Sequence, residues 1–149
     1  KALAKDKKRN VAFALVILQR RLASSTYALL MSLQRRKRRL NELLEGNQDK
    51  SKDEGRIFDV EVVEDLSESD RWKQEEVWET LSVAENREEL QKEIETLDGL
   101  AEKAKDIIEK EEEIKVRELK KTLHDLNAKF PSEKILVFTE SKYTLVYLL

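Results

Sequence analysis

The chain has no cysteine, one histidine, one proline and three glycines in 149 residues. Without cysteine it can form neither disulfides nor thiolate metal sites, and a single histidine disfavours a histidine-built site. Gly46, Gly55 and Gly99 are too scattered to form a phosphate-binding loop of the GxxxxGK[ST] type. We therefore expect no catalytic residue, no metal site and no cofactor bound by this chain alone.

Long apolar runs are also missing. The longest, Val11 to Leu18, is eight residues, whereas a helix needs about 20 to span a bilayer. Arg20 and Arg21 follow it, where a signal peptide has small cleavage-site residues. We expect no membrane contact and a cytoplasmic location, which the lack of cysteine permits.

Charged residues make up 40% of the chain, and their signs are segregated. Residues 1–45 hold 12 Lys/Arg against 3 Asp/Glu, and residues 46–113 hold 10 against 24, so the net charge of −2 conceals a basic block and an acidic one. With so few glycines and prolines, this composition favours long solvated helices. The basic block could meet phosphates or the acidic block of the same chain, and charge alone leaves both open.

The first 45 residues predict one long helix or two. Leucines recur there at threes, fours and sevens, at Leu15, Leu18, Leu22, Leu29, Leu33, Leu40 and Leu44. Ser24, Ser25 and Thr26 could cap a second helix that begins near Tyr27, and Gly46 ends the pattern. Residues 46–68 are expected to be a flexible acidic connector, because 47–54 contain no apolar residue.

Residues 69–130 predict an acidic helical insertion. Trp72 and Trp78 are expected to anchor its first helix by burial, with an exposed partner patch as the alternative. A heptad seam follows at Leu90, Ile94, Leu97, Ala101, Ala104 and Ile108 and requires a helical partner. Gly99 marks either a close helix crossing or a local weakness.

After a break or stutter at 109–115, an apolar stripe resumes in a shifted phase at Val116, Leu119, Leu123, Leu126 and Phe130. Pro131 ends that helix. The run Ile135 to Phe138 then predicts a buried strand followed by the start of a helix. The expected fold is thus mainly α, a hairpin or bundle of long helices with coiled-coil-like packing plus a short C-terminal strand, and we expect the chain to be a piece of a larger protein.

Five consecutive cations, Arg35 to Arg39, surround a full turn of the predicted first helical segment. They could contact a nucleic-acid backbone, with affinity that falls steeply with salt. They could equally pair with the acidic segment or simply be solvated. No aromatic residue interleaves them, which disfavours stacking on single strands.

Two stretches together resemble a known family. LQRRLASSTYALLMSLQRRKRRL, residues 18–40, is similar to the helical segment after the first motor domain of superfamily-two helicase-like ATPases of the Swi/Snf and RapA-like group. EKILVFTESKYTLVYLL, residues 133–149, resembles the opening of their second RecA-like domain, where a strand of the form ILVFTE is helicase motif IV. In such proteins a helical insertion lies between these landmarks, and residues 46–130 would be that insertion.

The resemblance implies that residues 131–149 begin a second RecA-like domain, with Phe138, Thr139 and Glu140 in motif IV. It implies ATP, magnesium and nucleic acid, DNA in the first instance, as ligands of the parent protein, a helicase or translocase. Its flanking RecA-like domains would be further partners. None of the family's nucleotide-binding or catalytic motifs falls within this chain. The candidate nucleic-acid contacts are Arg20, Arg21, Arg35, Arg36, Lys37, Arg38 and Arg39.

The alternative is a non-enzymatic coiled-coil interaction module, in which the acidic helix 85–113 binds a partner or a second copy. This hypothesis predicts concentration-dependent assembly. The apolar run Ile135 to Phe138 is a separate reason to expect self-association of this chain.

Overall fold

The computed structural model describes residues 2–46, 69–70, 72–73, 86–110 and 113–149. This part of the chain is mainly helical, as the sequence predicts. Its helices are α1 (Ala2–Ser24), α2 (Thr26–Leu44), α3 (Arg87–Glu109), α4 (Ile114–Lys129) and α5 (Lys142–Leu148). The predicted connector, apart from Gly46, and Trp78 lie outside the described residues, whereas Trp72 is described, helical and half-buried.

The predicted break between the first two helices is confirmed at Ser25. Its backbone is extended, with φ −162° and ψ 155°, and its Oγ accepts a hydrogen bond from the Ala28 N–H at 3.0 Å. This is an N-cap, which satisfies a donor that the first turn of α2 leaves unpaired. At the other end Gly46 takes φ +75°, the left-handed conformation that commonly terminates a helix. The sequence signals for both ends of α2 are therefore correct.

Helices α2 and α3 form an antiparallel pair that contains most of the core. At one end Arg87 Nη1 donates to the Leu44 carbonyl at 3.2 Å, and at the other the Thr26 N–H donates to Glu113 Oε1 at 2.9 Å. Between these ends lie the buried residues Leu30, Leu33, Leu40, Ile94, Leu97, Ala101 and Ala104. The central positions of the heptad seam are buried as predicted, and their partner is α2 of the same chain.

The predicted leucine stripe does not hold in α1. Leu15 and Leu22 are about half exposed, while Ala14, Ile17 and Arg21 are buried. The predicted stripe runs across the break at Ser25, and a helix face does not keep its direction where the helix ends. The stripe of α4 is likewise poorly covered, since no residue of this fully described helix is buried.

The predicted C-terminal strand is wrong for this chain. The described residues contain no β-strand, and Ile135, Leu136, Val137 and Phe138 form an exposed irregular segment. A strand exists only when its backbone pairs with another strand, and no described segment offers that pairing. The expected helix start is correct, because α5 begins at Lys142 with Ser141 as its N-cap.

Gly99 allows a stability prediction. It is exposed inside α3, and a Cβ placed there meets no atom within 4 Å. It is therefore a local weakness and not a close crossing. Gly99→Ala should raise the free energy of unfolding by about 0.5–1 kcal/mol in urea titrations. Gly46→Ala, at positive φ, should lower it by about 1 kcal/mol. A neutral or destabilising Gly99→Ala variant would contradict this assignment.

Candidate functional site

The basic residues at the centre of α2 split between two environments, and the first is the acidic helix α3. Arg36 is buried, and its Nε donates to Glu93 Oε1 at 3.0 Å while Nη2 donates to the same oxygen. Lys37 forms an ion pair with Asp98. The acidic block of the chain thus neutralises part of the basic block, which is one of the uses that the sequence left open.

The other three cations point elsewhere. The Arg35 guanidinium lies 5.0 Å from the centroid of the Tyr143 ring, a cation–π contact. Arg39 reaches Glu42 of its own helix at 3.4 Å. Arg38 is exposed on α2. Of the five consecutive cations, Arg38 therefore has the most accessible side chain for an outside ligand.

The two cations near the end of α1 differ in exposure. Arg21 is only 5% exposed, and its guanidinium lies 5.7 Å from the Tyr143 centroid. Arg20 is exposed, and its Nη2 lies 3.4 Å from Glu140 Oε2. Both arginines line one open cleft of about 300 Å³ together with Ile17, Ala23, Ser24, Glu140 and Ser141.

Helix α5 is joined to the α1–α2 break by hydroxyl groups. Thr144 Oγ1 shares hydrogen bonds with Ser24 Oγ at 2.7 Å and Ser25 Oγ at 2.8 Å, across about 120 residues of sequence. The Tyr27 and Tyr147 rings stack alongside, with centroids 4.8 Å apart and planes 9° apart. We call this region the joint. The sequence signalled the cap at Ser25 but not its partner, because single hydroxyls carry no periodic pattern.

Glu113 closes the same region from the side of α4. Its Oε1 accepts from the Thr26 N–H, so a carboxylate lies at the positive end of α2. The Lys115 ammonium donates to the Ala23 carbonyl at the end of α1. The α1–α2 break is therefore contacted by residues of two other segments, α5 and the start of α4, and this makes it a fixed corner of the structure.

Of the three residues that resemble motif IV, Glu140 lines the cleft. Phe138 is 89% exposed. The Thr139 hydroxyl accepts from the Ser141 N–H at 3.2 Å. Glu140 lies beside Arg20, and its carbonyl accepts from Trp72 Nε1 at 3.1 Å. Trp72 thus contacts the backbone of a residue that lines the cleft. Because its side chain is only half-buried, the prediction that the tryptophans anchor a helix by burial is confirmed only in part for Trp72.

The outer face of α3 is solvated. Glu102 accepts a hydrogen bond from Lys105 at 2.8 Å and raises the pKa of that ammonium, which is charged at neutral pH in any case. Within the described residues no group of three His, Asp or Glu side chains could hold a metal ion. His124 is exposed on α4. None of the described helices is long and apolar enough to cross a membrane.

Comparisons with protein-family profiles, with curated proteins and with solved structures found no match to this chain.

Proposed function

We propose that this chain is the helical region between the two RecA-like motor domains of an ATP-dependent nucleic-acid helicase or translocase of the Swi/Snf and RapA-like group. The chain itself catalyses no reaction; the parent protein would bind ATP and magnesium and act on nucleic acid, DNA in the first instance. One observation carries the proposal. The two stretches that resemble this family, residues 18–40 and 133–149, pack against each other at the joint.

The packing matters because neither stretch alone is distinctive. The joint combines two hydroxyl contacts, a stacked tyrosine pair and the cation–π contact of Arg35 with Tyr143. All of them link residues about 110 to 120 positions apart. In a two-lobed motor, a rigid corner of this kind would carry movement of the second lobe into the helical pair α2–α3, as in hinge-type domain closure.

Contact with nucleic acid is best supported at Arg38 and Arg20, which are exposed. Arg36 and Lys37 are engaged by Glu93 and Asp98, and their charges are largely satisfied inside the chain. Arg21, Arg35 and Arg39 would act from half-buried or buried positions beside them. A phosphate backbone would then follow one side of α2 and the end of α1.

The test is binding of a double-stranded oligonucleotide, followed by fluorescence anisotropy at several salt concentrations. Arg38→Gln should weaken binding to all sequences about equally and reduce the slope of log Kd against log salt by about 1. Lys121→Gln on α4 is the matched control, because it removes the same charge from an exposed position. Equal losses in the two variants would show that only net charge matters and would contradict a contact at Arg38.

The wider assignment is tested by the coding sequence on both sides of this chain. The proposal requires a GxxxxGK[ST] motif and a DExH-type box upstream. It also requires an arginine-bearing motif downstream. In that parent, nucleic-acid-stimulated ATPase should fall when Arg38 is neutralised. Flanking sequence without these motifs would remove the motor assignment.

The alternative function is a coiled-coil interaction module. The seam of α3 is already covered by α2, so a second copy would have to bind elsewhere. The observation that favours it is α4, where Val116, Leu119 and Leu123 are only half-buried and Leu126 and Phe130 are exposed. This hypothesis predicts a dimer in sedimentation equilibrium that Leu126→Lys dissociates. A monomer at high protein concentration would count against it.

A further inference from the structure

The open cleft at the end of α1 has the composition of an anion site. Its polar lining consists of two arginines, Arg20 and Arg21, two serines, Ser24 and Ser141, and one carboxylate residue, Glu140. The N–H groups of a guanidinium are spaced to donate to two phosphate oxygens at once. The hydrogen bonds they form are charge-assisted and therefore strong. A volume of about 300 Å³ is ample for one phosphate group with its waters.

We propose that this cleft binds a single phosphate group. The choice of a nucleic-acid phosphate as its natural occupant rests on the proposed function, whereas the phosphate chemistry itself does not. Under that function the cleft would hold one backbone phosphate while Arg38 contacts another. The nucleic-acid strand would thereby be held in one position along α2.

The cleft is preorganised by contacts outside it. Arg21 is 5% exposed and is held against the Tyr143 ring, so its side chain is immobilised before any ligand arrives. Ser24 is held by Thr144, and the Ser141 hydroxyl caps the Thr144 N–H at 3.4 Å. Because these groups are already ordered, a ligand would lose little affinity to the cost of ordering them.

Glu140 competes with an incoming phosphate for the guanidinium of Arg20. Its carboxylate lies at the mouth of the cleft, 3.4 Å from Arg20 Nη2, and is itself 81% exposed as a side chain. It is an anion in the place where a phosphate oxygen would reach the same guanidinium. An incoming phosphate must therefore displace Glu140, which has ample solvent to move into, and the two residues should affect phosphate binding in opposite directions.

The first experiment follows the amide resonances of Arg21, Ser24 and Ser141 by NMR while inorganic phosphate is added to the 149-residue chain. Glu140→Gln should tighten binding about two- to fivefold, the size of an exposed ion pair. Arg20→Gln should weaken it about tenfold, as expected for loss of a charge-assisted contact. Both side chains are exposed, so neither variant is expected to disturb folding.

Sodium chloride at matched ionic strength is the control. Identical shifts in phosphate and chloride, or unchanged affinity in both variants, would overturn the phosphate site.

A second experiment adds a double-stranded oligonucleotide in place of inorganic phosphate. Movement of the same amides, with the same opposite effects of the two variants, would identify the occupant as a backbone phosphate. Duplex binding that depends on Arg38 but does not shift these amide resonances would contradict a phosphate site in the cleft, and the proposed function would be unaffected. Phosphate binding without duplex binding would keep the cleft as a site for free phosphate and remove the proposed function.

Discussion

Replacing Glu93 with alanine is expected to lower the free energy of unfolding by about 3 kcal/mol. Glu93 accepts two hydrogen bonds from the guanidinium of Arg36, whose side chain is only 9% exposed. Without Glu93 that cation stays at the α2–α3 interface with its main counter-ion gone, and the cost of its desolvation is no longer offset. This loss is at the low end for a buried pair because Glu93 itself is 24% exposed.

The measurement is urea denaturation followed by circular dichroism at 222 nm. Glu95→Ala is the control, since Glu95 is exposed on the same helix and should change stability by no more than about 0.5 kcal/mol. Arg36→Met combined with Glu93→Leu should recover most of the loss, because an apolar pair replaces the buried charges without leaving either one unpaired. A Glu93→Ala variant as stable as Glu95→Ala would show that the pair contributes nothing.

The same ion pair shows where sequence reasoning stops. The segregation of charge predicts pairing between the basic and acidic blocks as one use of Arg35 to Arg39. This prediction is correct for Arg36 and Lys37. It could not say which of these cations faces α3, because five consecutive residues surround the whole helix. Only the rotation of α2, set by Leu33 and Leu40 in the core, turns Arg36 inward and leaves Arg38 exposed.

Periodicity was reliable where one helix packs along another for its whole length. The positions Ile94, Leu97, Ala101 and Ala104 follow from spacing alone, and all four are buried. The leucine periodicity of α1 does not predict its buried face, because the N-cap at Ser25 interrupts the helix and changes the direction of that face. The strand predicted at Ile135 to Phe138 failed for a different reason, since composition reports a preference for strand while strand formation also needs a pairing partner.

The joint and the cleft could not be predicted at all. They depend on Ser24, Ser25 and Thr144 meeting across about 120 residues, and a single hydroxyl is not distinguishable in sequence from any surface serine or threonine. What the sequence offered was the family resemblance of the two stretches that meet there. It gave no physical reason for both Arg21 and Arg35 to contact the Tyr143 ring.

Leu40→Ala is expected to destabilise the protein by about 3 kcal/mol. The Leu40 side chain is fully buried, with 0% exposure, in the cluster that α2 and α3 share. Truncation removes three carbon atoms and leaves a cavity that two regular helices cannot readily close. Leu100→Ala is the matched control, because Leu100 is 45% exposed on α3 and its loss should cost less than about 1 kcal/mol. Equal losses in the two variants would contradict the core assignment.

The Leu40 variant also tests whether the helical pair and the joint unfold together. Leu40 lies towards the C-terminal end of α2, whereas the joint lies at its N-terminal end, where Tyr27 stacks on Tyr147. If α2 transmits stability along its length, circular dichroism at 222 nm and the near-ultraviolet signal of the tyrosines should shift to lower urea by the same amount. A tyrosine signal that keeps its midpoint would show that the joint is stabilised independently of the α2–α3 core, and α2 could not then couple the two ends of the molecule.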